Sequence, residues 1–272
     1  ASARFTGRFN VYRQYLAHLE RRLVSDERTI CLCVSSAVAR QFHEHFGRRD
    51  GVRVVFNGVP SPPGSAAQQQ LWRRKGRAWL GADDGETVLL TVATNPVLKG
   101  VGETIEAFAA WQQASGAPPA RLVVVGPGRP ERWSRLAERV GAGQRVRVLP
   151  ATEDVDAWYA AADAVVLLSW YDSCSLVVLE ATARLVPSIT TERNGAADLL
   201  AGGAGIVVPA PDARDAVVSA MHAMSDPDRR ARGREACREA AGRLTMRRHV
   251  NELLAVYREA AERRRTKADH AG

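Results

Sequence analysis

An α/β fold, a doubly wound parallel sheet with helices on both faces, is predicted by three features of the 272-residue sequence. Short apolar runs alternate with helical patterns between residues 87 and 208, the order that parallel strands joined by crossover helices require. The apolar run 165–168 stops at a polar and aromatic loop, 169–173, and an apolar helical pattern restarts at about Cys174, which is how a buried parallel strand feeds a helix. Residues 60–70 (PSPPGSAAQQQ) have the composition of a linker and separate a short first part from this larger one. With 46% hydrophobic residues, the chain has the apolar content for a sizeable core and the length of one large or two ordinary domains.

The first part reads as a basic helix over about 10–23, a buried strand over 29–35 (TICLCVS), a helix over 36–46 and a strand over 52–56 that ends at Asn57-Gly58-Val59. His43 and His45 flank Glu44 on the second helix, but alternate helix positions face different ways, so no metal site is expected there. After the linker come a basic helix (71–80), a strand (87–93), a loop (94–100) and a helix (103–113). Next are a strand (121–125) meeting Gly126-Pro127-Gly128, a helix (131–140), a short strand (145–149) and a helix (155–162), leading to the central run. Strands at 188–191 and 206–208 follow. The tail, 212–265, reads as successive helices, one from Asp212-Ala213 to about Asp226-Pro227 and the last over 249–265, with Val250, Leu253, Leu254 and Tyr257 at helical spacing.

The formal charge is +8, and of 38 basic residues only Lys75, Lys99 and Lys267 are lysines. This balance suits an anionic partner, whether nucleic acid, a membrane surface or a phosphorylated substrate, or else reflects a composition biased toward Arg and Ala. Cys31, Cys33, Cys174 and Cys237 form one C-x-C pair and no C-x-x-C, which suggests neither a disulfide framework nor a zinc site and fits a reducing cytoplasm. No apolar run has the length of a membrane span, and ASARFTGRFNVYRQ lacks the apolar core of a signal peptide. The first residue is not Met, and the chain is expected to be truncated at its N-terminus.

A ligand site is expected where the central strand meets its helix. The first N–H groups of a helix have no intrahelical partners and carry the positive end of the macrodipole, so they favour a phosphate or other anion. Within that helix Glu180 is the only ionisable residue between Cys174 and Ala183, and a carboxylate among Leu176, Val177, Val178 and Leu179 is costly unless paired. Asp172 precedes it by eight positions, about 10 Å along the axis. Each acid has two readings: Asp172 as ligand group or helix N-cap, Glu180 as ligand group or partner of Arg184 one turn on. Lys99 sits in a loop after a strand, where its ammonium is able to meet phosphate oxygens, or is an exposed loop lysine. Asp154 and Asp156 directly precede a helix and are read as capping rather than metal ligands.

The segment YDSCSLVVLEATA, followed by TTERNGAADLL, resembles the acid-x7-acid motif of retaining glycosyltransferases of family 4, closest to the lipopolysaccharide core heptose glucosyltransferase group. The resemblance implies the GT-B fold, two Rossmann-like domains facing across a cleft. It would divide the chain into the C-terminal part of an acceptor domain (1–60), a nucleotide-sugar donor domain (61–240) and a helix packing back on the first domain (241–272). By the same resemblance, Lys99 and the N–H groups of Ser173, Cys174, Ser175 and Leu176 hold the donor diphosphate. Glu180 takes the ribose hydroxyls, Asp172 touches the transferred sugar, Gly126 lies beside the nucleotide, and Val148 and Leu149 face the base.

Several positions depart from the family pattern. Asn95 stands about where a second basic phosphate contact is usual, Asp172 is one methylene shorter than the usual Glu, and Leu185 replaces a helix-ending glycine. Leu185 therefore has either to avoid the left-handed conformation or to carry its strain. The implied activity is transfer of a hexose from a nucleotide diphosphate sugar, UDP-linked by preference, to a glycan or glycolipid acceptor. It would proceed with retention, with no cofactor or metal, in the cytoplasm, peripheral contact with an anionic membrane included and nucleic acid excluded. The alternatives are a non-catalytic nucleotide-sugar-binding protein or inactive fragment, and an oxidoreductase, which lacks here the full glycine fingerprint it needs.

Overall fold

The computed structural model describes residues 11–27 and 29–268, so the first ten residues of the expected acceptor-domain part, with the start of its first helix at Asn10, and residues 269–272 of the last lie outside the described residues. Two compact units divide the chain, one of residues 1–55 and 250–272, the other of residues 56–249.

In the smaller unit, α1 (Val11–Ser25), β1 (Cys31–Cys33), α2 (Ser36–Phe46) and β2 (Val52–Val54) follow one another, with β1 and β2 paired in parallel. The Ser35 hydroxyl caps α2 by accepting the Val38 N–H at 3.2 Å, and Gly47 ends it in the left-handed conformation. Arg48 draws the loop after α1 together, donating to the carbonyls of Val24, Asp26 and Thr29. Arg53 meets Glu259 with two parallel hydrogen bonds, of 3.0 and 2.6 Å.

The larger unit carries a six-stranded, all-parallel sheet in the order β5-β4-β3-β6-β7-β8. Its strands are β3 (Thr87–Val92), β4 (Ala120–Val125), β5 (Val146–Leu149), β6 (Ala164–Leu167), β7 (Ser188–Thr191) and β8 (Gly205–Val208). Around them run α3 (Ala66–Leu80), α4 (Val101–Gln113), α5 (Pro130–Arg139), α6 (Val155–Ala161), α7 (Leu176–Ala183), α8 (Arg214–Ser225) and α9 (Pro227–Ala241), with a 3-10 helix at Gly195–Leu200; the last helix, α10 (Met246–Ala268), belongs from Val250 onward to the smaller unit.

Alternate residues of the strands feed two cores. Leu89, Leu122, Val124, Val166 and Ile189 pack with α4, α5 and α8. Val88, Leu90, Val123, Val125 and Val165 pack with Leu80, Tyr159 and Ala181 of α3, α6 and α7. Burial on both faces is why the strands read as unbroken apolar runs. Two threonines within them are satisfied internally: Thr91 donates to the Val166 carbonyl, and Thr190 to that of Leu167, each at 2.8 Å, whereas the buried Ser188 hydroxyl of β7 has no hydrogen-bond partner among the described residues.

Two expectations about element bounds are corrected. Ala66 to Gln70, read as linker, belong to α3, because Ala and Gln favour helix and the Ser65 hydroxyl accepts the Gln68 N–H at 3.3 Å. The helix expected from Cys174 begins at Leu176, because residues 172–175 make a turn of their own.

Leu185 carries the strain: its φ is +60°. Its N–H bonds the Thr182 carbonyl and that of Val186 bonds the Ala181 carbonyl, so α7 ends in a Schellman motif whose left-handed position is filled by a residue with a Cβ. Left-handed backbone costs a non-glycine residue about 1–2 kcal/mol, part of which a glycine returns as unfolded-state entropy. Leu185→Gly is therefore expected to stabilise the chain by roughly 0.5–1 kcal/mol, raising the melting temperature by about 1–4 °C; calorimetry that found a lower melting temperature would contradict this.

Candidate functional site

In the sheet order, β3 and β6 are neighbours from which the chain winds away in opposite directions, so the loops after them leave a crevice at their carboxyl ends. The loop after β3 is held by Asn95, whose side chain accepts the Leu98 N–H at 3.3 Å and whose carbonyl accepts the Lys99 N–H at 3.0 Å. Leu98 in turn accepts the Trp170 N–H at 2.9 Å, tying this loop to the one after β6. Gly100, at the N-cap of α4 with φ +66°, is required there: a Cβ would lie 2.0 Å from the Leu168 carbonyl oxygen. The outcome is that Lys99 reaches across the crevice and its ammonium pairs with Asp172. Both side chains are largely buried, at 22% and 10% exposure, so solvent screens the pair only partly.

Asp172 is fixed from both sides. Its N–H donates to Arg193 O at 3.0 Å, and its carbonyl accepts the Gly195 N–H at 2.8 Å. One carboxylate oxygen accepts the Cys174 N–H at 3.3 Å while the other meets Lys99. Asp172 is thus not the N-cap of α7: Ser175 holds that position, without a side-chain capping bond. Of the four N–H groups expected on a diphosphate, that of Cys174 is bonded to Asp172 and that of Ser175 to the Asn194 side chain at 3.2 Å. Ser173 lies within the same turn, and the exposed Leu176 opens the helix, where first-turn N–H groups have no carbonyl of their own helix to reach.

Asn194 was not singled out by sequence reasoning. It is 1% exposed, accepts the N–H groups of Ser175 and Ala196 at 3.2 and 3.0 Å, and donates to Thr190 Oγ1 at 2.9 Å. The available signal was Asn-Gly separated from the end of a strand by two residues, a turn dipeptide whose side chain bonds nearby backbone. Asn194→Ala leaves two buried donors unpaired and is expected to destabilise the chain by about 1–3 kcal/mol. Chemical denaturation checks this, and a change below about 0.5 kcal/mol would show that the turn holds itself.

Glu180, on α7, accepts the Tyr159 hydroxyl at 2.9 Å. Tyr159 is buried in the second core, and burial, then the Glu180 carboxylate, push its phenol well above its ordinary value, so it remains a donor. The reading of Glu180 as partner of Arg184 is corrected. Arg184 gives its Nε–H to Asp156 at 2.6 Å and its Nη1–H to the Glu180 carbonyl at 3.2 Å, and its guanidinium lies 4.9 Å from the centre of the Tyr159 ring. The capping reading of Asp154 and Asp156 is corrected too: Asp154 stands at the N-cap of α6 without a capping bond, and Asp156 is the ion partner of Arg184.

Gly126 ends β4 with φ +87°, and its N–H bonds the Leu149 carbonyl at 3.0 Å, joining it to the end of edge strand β5. Val148 and Leu149 are half-buried and pack on opposite cores, so it is the end of the strand that lines the carboxyl edge. The Cys174 thiol is buried, and burial, then the Asp172 charge, push it up to about 12, which leaves it protonated and unreactive at neutral pH. Lys99, Asp172, Cys174 and Ser175 are thus brought into one bonded cluster with Asn194, whereas Glu180 stands in a separate network with Tyr159. Among the described residues no group of three or more His, Cys, Asp or Glu side chains could hold a metal ion, and no helix is long and apolar enough to cross a membrane.

Residues 73–240 match the family model described as glycosyl transferases group 1. The chain is 32% identical over 235 residues to a D-inositol 3-phosphate glycosyltransferase of Nocardiopsis dassonvillei, covering 81% of this chain and 53% of that protein. It is 26% identical over 207 residues to the lipopolysaccharide glucosyltransferase WaaG of Escherichia coli, covering 74% and 54%. It thus spans about half the length of these curated relatives. A crystal structure of WaaG superposes with a TM-score of 0.72 at 23% identity, over 86% of this chain and 64% of that one, which shows the GT-B fold class. Anabaena HepE in complex with UDP-glucose superposes at 0.69 and 19% identity, over 92% and 68%.

Proposed function

The chain belongs to the glycosyl transferases of group 1, and from that premise we propose that its larger unit binds the donor of a retaining, metal-independent hexosyl transfer from a UDP-sugar to a glycan or glycolipid. The observation that carries this reading is the meeting of Lys99 and Asp172 in the crevice between the β3 and β6 loops.

In the proposed complex the diphosphate takes Lys99 away from Asp172. The ammonium and the start of α7 then carry the charge that grows on the leaving phosphate. Asp172, released, accepts from hydroxyls of the hexose. Glu180, oriented by Tyr159, accepts from the ribose. Gly126 and the ends of β4 and β5 lie beside the nucleotide, with Val148 and Leu149 toward the base. HepE, of like fold, was crystallised with UDP-glucose, which supports a uridine donor. The name of WaaG supports a lipopolysaccharide-type acceptor. The charge of +8 suits an anionic membrane face as a partner; work in the cytoplasm without a nucleic acid partner belongs to the same proposed reading.

UDP is expected to bind in excess chelator and to weaken as salt rises, because fixed cations and dipoles rather than a metal meet the diphosphate. Calorimetry with and without chelator, at fixed ionic strength, measures this. A tenfold loss on chelation, about 1.4 kcal/mol, would reject the metal-free site. Transfer of labelled glucose to lipid-linked acceptors, with the anomer read by magnetic resonance, separates a transferase from a protein that only binds the donor.

A further inference from the structure

The larger unit has a second concavity, at the opposite edge of its sheet. A cavity of about 640 Å³ opens where α3, the end of α6, the end of α7 and α9 meet. Its lining residues Ala162 and Val186 lie just ahead of β6 and β7, at the amino ends of the strands, whereas Lys99 and Asp172 follow the carboxyl ends. Its volume is that of an ordinary small-molecule pocket. Pro62, Ala66, Ala183, Leu185 and Val186 make much of its wall apolar. Leu185 is the strained residue that ends α7, and strain of this kind collects at ligand clamps.

Positive charge is in excess beside this apolar wall. Asp163, 2% exposed, is met by Arg73 at 2.7 Å, Arg77 at 3.0 Å and Arg234 at 3.8 Å, three guanidinium groups on one carboxylate. Arg77 is buried and spends its other donors on the carbonyls of Asp83 and Glu86. Arg73 gives its own to the carbonyls of Ala160, Ala161 and Ala162. Arg234 is different. It lines the cavity, is 41% exposed, and among the described residues makes no hydrogen bond, only the long ion pair. Burial, with Arg73 and Arg230 nearby, lowers its pKa against the pull of Asp163, so its charge is undercompensated where it stands.

We propose that this cavity is a second binding site, taking an amphiphilic anion whose phosphate or carboxylate meets Arg234, with the Arg73 charge nearby, and whose apolar part lies against Ala66, Leu185 and Val186. The anion supplies the counter-charge that Asp163 alone cannot, and Arg234 offers a guanidinium fork that suits phosphate and carboxylate. The apolar part replaces water over a surface with few polar groups. A free metabolite and a membrane lipid share this chemistry.

The test is calorimetric titration with n-octyl phosphate below its micelle-forming concentration, beside n-octanol and inorganic phosphate. Octyl phosphate is expected to bind more tightly than either, with affinity lowered at least ~10-fold by Arg234→Gln and largely kept by Arg234→Lys. Saturating UDP should not displace it, since the two sites lie at opposite sheet edges. Equal binding of octanol, displacement by UDP, no measurable binding, or parent-like binding by an Arg234→Gln variant that melts like the parent would each overturn the proposal. Co-sedimentation with phosphatidylglycerol vesicles identifies the source: binding that Arg234→Gln abolishes marks a lipid headgroup, and binding of the monomer alone marks a soluble amphiphile.

Discussion

Lys99→Met should raise the dissociation constant for UDP by ~10- to 100-fold while changing that for uridine by less than about twofold, the range expected for losing a hydrogen bond to a charged group. The loss has two parts. The ammonium no longer meets the phosphates, and Asp172, which now pairs with it, is left as an uncompensated negative charge beside them. Asp172→Asn separates the two, because it frees Lys99 and removes the repulsion. This variant should bind UDP at least as tightly as the parent, yet lose the extra affinity that a glucose moiety confers. Parallel titrations with uridine, UDP and UDP-glucose read all three quantities. Equal losses for uridine and UDP in Lys99→Met would point to a general effect on folding instead.

The largest effect on stability is expected at Asp163. Asp163→Asn keeps the shape of the side chain but leaves Arg73, Arg77 and Arg234 around a neutral group, and breaking a buried charge cluster in this way costs about 3–5 kcal/mol. For a chain of this size that lowers the melting temperature by roughly 10 °C. The same carboxylate sets an acid limit. Burial pushes the Asp163 carboxyl up, but Arg73, the Val88 N–H and Arg77 together outweigh it and hold the group below its ordinary value. A depressed folded-state pKa means that the unfolded chain takes up the proton first. The contribution is therefore complete above the ordinary aspartate value near ~4 and is lost as pH falls through the lower folded one. Asp163→Asn should narrow its stability gap to the parent only below about pH 4, as denaturant midpoints across pH will measure. A gap that narrowed instead between pH 5 and 8 would assign the effect to another group.

Why some of the site was legible and some not follows from the reach of each interaction. Lys99 and Asp172 were both found because each sits in a loop directly after an apolar run, a pattern local to a few residues. Their pairing spans 73 positions of sequence and depends on which strands become neighbours. Asn194 was missed for the same reason: Asn-Gly announces a turn, but nothing in it says that the amide will reach Ser175, 19 residues earlier. Glu180 was expected either at a ligand or on Arg184, and its carboxylate accepts from Tyr159, a residue of another helix, rather than from Arg184.

The sequence by itself determined the class of fold, the order of its elements and the edge of the sheet at which to look, because hydrophobic periodicity, capping residues and glycine-bearing turns act over a few residues and survive in any arrangement of the chain. Tertiary structure decided which partner each charge found. Leu185 shows the division most plainly: the sequence posed two outcomes for it, and the packing of α7 over β6 and β7 selected the left-handed one. Once that helix is docked, its last turn must close through the Schellman bonds of Leu185 and Val186, and a local cost of about 1–2 kcal/mol is outweighed by the burial of Val178, Leu179 and Ala181 that the docking secures.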